Sequence, residues 1–199
     1  MNNGKNDLTE GSIGRKLISF FLPIAAGTLF QQLYNAADAI VVGKFVGTIA
    51  LAAVGGSAAH ITNLLIGFFV ALSGGSTVVI AQLFGAKDEE SIQKATGTAI
   101  AFCIISGIVL TIVGFAFTPV FLRVLQSPPD TIAESTTYLR IVFLGVTAQL
   151  LYNMEAGMLQ AVGDSKSPFI YLFICCMFNI FLDLLLVAIF KMGVAGAAI

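Results

Sequence analysis

Gln31, Asn35 and Asp38 stand at i, i+4 and i+7, which puts them on one face of a helix with Tyr34 beside them. Asn179 precedes Asp183 by four residues, again on one face. Around that second pair the chain is strongly apolar, with Cys175-Cys176-Met177-Phe178 before it and Leu184-Leu185-Leu186-Val187 after it. Two carboxyl groups in one dry cavity cannot both carry charge in comfort. Such a pair shares a proton or recruits a cation, with amide oxygens of Asn completing a shell of hard oxygens. The bland alternative is that each acid is a neutral hydrogen-bonding staple between helices. Asn153 can line the same space. Glu155, two residues further, falls on a different face.

Other reactive residue types carry less. His60 is the only histidine and has no ligand partners in sequence. Cys103, Cys175 and Cys176 lie inside apolar runs without metal-binding spacing. Arg140 falls near the start of an apolar segment, where its long side chain can snorkel. No phosphate loop, HExxH or GxSxG is present, so no enzyme is expected.

The elements that position these groups follow from composition. Of 199 residues, 57% are hydrophobic and 11% charged, with mean hydropathy +0.95. A soluble domain carries nearer 25% charged residues, so the solvent is lipid. The net charge of −1 excludes a basic nucleic-acid surface. A leader over 1–16 and a transmembrane helix bundle over 17–199 are expected. The first span runs from Leu17 to Val42, with Pro23 near its start. The second begins near Ile49 and ends near Phe84. It is too long for one straight span, so a kink is expected at Ser73-Gly74-Gly75. The third covers about Ile92 to Phe117, with Pro119 and Pro128-Pro129 punctuating the loop that follows. The fourth covers about Thr136 to Val162 and the fifth about Phe169 to Phe190. Gly193 to Ile199 opens a sixth. With the N-terminus cytoplasmic, Lys5, Arg15, Lys16, Lys87, Lys94 and Lys166 lie inside, against Lys44, Arg123, Arg140 and Lys191 outside. In that arrangement Asp38 and Asp183 both sit in the outer half of the membrane, about 5 Å apart in depth.

Several stretches, in order, resemble the multidrug and toxic compound extrusion (MATE) transporters. They are Pro23 with Gln31 to Asp38 and Val42-Gly43, Leu51 to Gly55, Leu72 to Gly75, Ala81 to Asp88, Gly157 to Pro168, and Gly193 to Ala198. The resemblance covers nearly the whole chain. It implies an all-α integral membrane fold: five complete helices and the start of a sixth, forming the N-terminal lobe of a two-lobe transporter. It implies antiport of organic cations or amphipathic drugs against protons or sodium in the plasma (inner) membrane, with no cofactor besides the coupling ion. Asp38, Asp183, Asn179 and, less directly, Asn153 match the family's coupling residues. Tyr34, Gln31, Asn35 and Gln149 are assigned to the substrate cavity. Gln160 stands where many members carry arginine. The expected partners are the bilayer, small cationic or amphipathic substrates, and a C-terminal lobe missing here. The alternatives are a flippase for lipid-linked precursors and a non-transporting half-unit.

Overall fold

The computed structural model describes residues 13–199, apart from the side chains of Ile13 and Ser73. The leader residues 1–12, Lys5 among them, lie outside the described residues. The described chain is helical: α1 (Ile13–Phe45), α2 (Thr48–Ala53), α3 (Ala59–Gly85), α4 (Glu89–Val124), α5 (Ile132–Ala161), α6 (Lys166–Asp183) and α7 (Val194–Ala198). Two π-helical turns interrupt it, Val54–Ala58 between α2 and α3 and Leu184–Ile189 directly after α6. Among the described residues four stretches are long and apolar enough to cross a membrane: Gly14–Phe45, Thr48–Gly85, Glu89–Val124 and Lys166–Ile189.

At 30 residues, α5 extends about 45 Å. Glu134, Arg140, Gln149, Asn153, Glu155 and Gln160 keep its hydropathy low. Its place in the fold accounts for this, because α5 is the central helix and packs against α3, α4, α6 and α7. One stripe of it, Ser135, Leu139, Phe143, Val146, Leu150 and Met154, is buried. Leu139 and Phe143 meet Ile61 of α3 and Leu122 of α4. Val146 and Leu150 meet Ile66 and Leu110, and Met154 meets Ala99 and Cys103. Glycines let α4 approach this closely. A Cβ at Gly107 would lie 2.8 Å from the Thr147 Cα, and one at Gly114 would enter the Phe143 ring. The α1 helix packs on α6, with Gly27 against Leu172 and the Phe30 ring edge-on to Phe173 at 5.2 Å.

Short polar turns join the long helices. Asp88 caps α4, its Oδ1 accepting the Ser91 N–H at 3.0 Å. Asp164 Oδ1 accepts the N–H groups of Lys166 and Ser167, and its Oδ2 accepts the Ser167 hydroxyl at 2.6 Å.

Three local expectations are corrected. Helix runs unbroken through 73–75, and the kink lies at Val54–Ala58, where Gly56 leaves helical geometry (φ −88°, ψ −122°). Pro23 lies well inside α1, because the helix begins at Ile13. Pro119 lies inside α4, which continues to Val124. A lipid-embedded helix keeps its own hydrogen bonds unless another donor or acceptor replaces them. At the kink that donor is His60: its Nδ1 lies 2.9 Å from the Gly56 carbonyl. A carbonyl only accepts, so Nδ1 carries the proton.

Candidate functional site

Helix periodicity brings the polar groups of α1 and α6 to one seam. On α1, Gln31, Tyr34 and Asp38 follow one face. On α6, Leu172, Cys176, Asn179 and Asp183 do the same. Packing α1 on α6 turns the two faces together, and the Asp38 and Asp183 carboxyl groups come close enough to interact directly. Asp183 is 3% exposed and is the last α-helical residue before the π turn. A π turn widens the backbone ring by one residue and is often found at functional sites.

Two carboxylates cannot hydrogen-bond without a proton between them, since an ionised carboxylate only accepts. The contact therefore fits one shared proton, or a cation in its place. Three buried oxygens at this seam have no hydrogen-bond partner among the described residues: Asp38 Oδ1, Asp183 Oδ2 and Asn179 Oδ1. They are the hard oxygens a small monovalent cation would use. Among the described residues no group of three His, Cys, Asp or Glu side chains forms a metal site, so a sodium shell here would depend on the Asn179 amide.

A cavity of about 360 Å³ opens beside the pair, between α1, α5 and α6. Of the residues expected to matter, Gln31, Tyr34, Gln149, Asn153 and Asn179 line it. The two aspartates stand next to it rather than in its wall. Asn153 donates from Nδ2 to the Gln149 carbonyl at 2.7 Å. Asn35 does not join them. It is exposed and donates to Gln32 Oε1 at 3.4 Å. Its position, about 40° round the helix from Gln31, puts it on the other side of the α1 seam. Glu155 is exposed. Arg140 rests its guanidinium over the Phe115 ring, 5.0 Å from the centroid.

Two tyrosines of α5 belong to the site and were not singled out from sequence. Tyr138, mostly buried, is close enough to interact electrostatically with Asp38, Tyr34 and Asp183. Tyr152 lines the cavity. The signal was present: Tyr138, Val142, Gly145, Gln149 and Tyr152 recur at steps of three and four.

Comparison with known proteins agrees with this architecture. The MatE family profile matches residues 23–185. The Bacillus subtilis protein named "Probable multidrug resistance protein YoeA" is 33% identical over 96% of this chain and 42% of its own length. A MOP superfamily transporter from Pyrococcus furiosus, whose binding pocket is described as reversed in polarity, superposes with TM-score 0.90 at 25% identity, over 100% of this chain and 44% of its own. A multidrug resistance MATE transporter in an outward-facing conformation superposes with TM-score 0.86 at 26% identity, over 94% and 41%. The chain thus spans less than half the length of the relatives it matches. These relatives are transporters rather than enzymes. With a family match across most of the chain and a helical lobe that superposes on solved members, this protein belongs to the MATE family.

Proposed function

We propose that residues 1–199 form the N-terminal lobe of a cation-coupled exporter of organic cations, and that Asp38 and Asp183 hold the coupling proton or sodium ion. The observation that carries this reading is the contact of two carboxyl groups beside a polar cavity, with three buried oxygens left without partners. Loss of the shared proton would leave two anions side by side. Unit charges 4 Å apart repel by about 4 kcal/mol at an effective dielectric of about 20. The pair then separates or takes a sodium ion, and either moves α1 against α6. No Lys or Arg lines this cavity. This favours a cationic cargo over a phosphate-bearing one. The membrane is taken to be the plasma (inner) membrane, with the N-terminus cytoplasmic.

The test is infrared difference spectroscopy of the chain in lipid nanodiscs, stepping pH and sodium. A carboxylic-acid band that disappears with deprotonation or sodium binding is expected. Asp38→Asn or Asp183→Asn should abolish it. An unchanged band in both variants would remove the pair from coupling. Cells making only residues 1–199 should not expel dye, because the relatives' remaining length supplies the rest of the pathway. Efflux from such cells would overturn the half-pathway reading.

A further inference from the structure

A second cavity of about 140 Å³ adjoins the first. Its polar lining is Thr28 and Gln31 of α1, Tyr152, Asn153 and Gln160 of α5, and Ser165 of the turn before α6. Gln31, Tyr152, Asn153 and Leu172 line both cavities, so the two are contiguous. The second one extends toward the end of the bundle that holds the 162–165 turn, which is also where α1 begins. Asn179 lies fourteen residues along the helix from Ser165, about 21 Å. The two cavities together cover that distance.

The space has the size and chemistry of a water-filled one. At about 30 Å³ per water, it holds about five molecules. Six neutral polar side chains can bind them, and no charged residue lines it. A dry void would be lined by apolar groups alone, whereas here the six polar side chains stand among seven apolar or glycine residues. At the junction, the Tyr152 hydroxyl donates to the Pro168 carbonyl at 3.4 Å. That bond is long and weak, so the ring is easily released.

We propose that the second cavity is a water-filled vestibule with Tyr152 as its gate, through which a proton or small monovalent cation passes between the Asn179–Asp38–Asp183 seam and the bundle end at 162–165. What passes rests on the coupling reading above; the water access does not. Cys176 supplies an internal probe, since it is 2% exposed and lines the first cavity.

The experiment uses the full chain with Cys103→Ser and Cys175→Ser, in sealed vesicles of both orientations. It measures the rate of Cys176 modification by cationic and anionic methanethiosulfonates of similar size. From the 162–165 side, the cationic reagent should react several-fold faster than the anionic one, because the track ends at carboxyl and amide oxygens. Tyr152→Ala should raise the rate at least five-fold from that side alone. Gln160→Trp should lower it several-fold. Misfolding would raise the rate from both sides, so it cannot mimic the slowing by the plug. Rates insensitive to both substitutions, or access only from the opposite side, would overturn the vestibule. An unchanged carboxylic-acid band in both Asp38→Asn and Asp183→Asn would instead overturn coupling and leave the vestibule standing.

Discussion

Gly114→Ala should open the seam between α4 and α5. The added methyl would fall inside the Phe143 ring. That ring is 0% exposed and is packed by Ile61, Leu122 and Leu139, so it cannot swing aside. The helices must separate or the ring must leave its rotamer, at a cost of about 1–3 kcal/mol. At tenfold per 1.4 kcal/mol, local opening becomes roughly 5- to 150-fold more frequent. Cys103 is buried on the same α4 face beside Met154 and is not in a disulfide. Its alkylation rate, with Cys175 and Cys176 replaced by Ser, therefore reads that opening. The control is Gly97→Ala on the same helix. Gly97 is exposed and an added Cβ there meets nothing within 4 Å, so alanine should stabilise α4 by up to about 1 kcal/mol. Adding Phe143→Leu to Gly114→Ala should recover part of the loss, giving a double variant less destabilised than the sum of the singles. If Gly114→Ala alkylates no faster than Gly97→Ala, the close approach of α4 and α5 is wrong. The consequence reaches the cavity, because the flanking face of α5 carries Gln149 and Asn153.

His60→Ala should raise amide exchange over 54–58 by roughly five-fold, the loss of one hydrogen bond of about 1 kcal/mol. His60→Asn should restore protection, since Asn153 already bonds the carbonyl four residues back in α5; equal exchange in all three proteins would dismiss the staple. Lys87 (φ 57°) and Gln126 (φ 51°) hold the left-handed conformation after α3 and α4, so glycine at either should stabilise by about 0.5–1 kcal/mol in a denaturation series, and a loss would contradict that geometry. The hydroxyl and N–H of Ser91 hold the Asp88 carboxyl below the usual carboxylate range. Its cap therefore contributes above the unfolded value of about 3.9 and is lost as pH falls through the lower folded value. Exchange in the first turn of α4 should rise below that point in wild type, while Asp88→Asn should show no such step.

Much of the site was legible because helix periodicity is local. The spacing of Gln31 and Asp38, and of Asn179 and Asp183, was enough to put each set on one face, and an ionisable residue in lipid is rare enough to stand out. Asn35 shows the limit of that reasoning. It satisfies the same spacing, yet which edge of a stripe faces the neighbour depends on where α6 packs. The kink shows it again. Gly55-Gly56 and Gly74-Gly75 are equally glycine-rich, but only the first has a side chain, His60, that bonds the distorted carbonyl.

Composition and periodicity alone determined that this chain lives in lipid, how many long helices it has, and which faces of α1 and α6 are polar, because each follows from neighbours along one helix. Only the tertiary structure decided that the Asp38 and Asp183 carboxyls meet, that α5 is central, and that Tyr138 and Tyr152 join the site. Those facts depend on how closely two helices approach and at what rotation. That is set by glycines such as Gly27, Gly107 and Gly114 meeting particular partners, which no single segment contains.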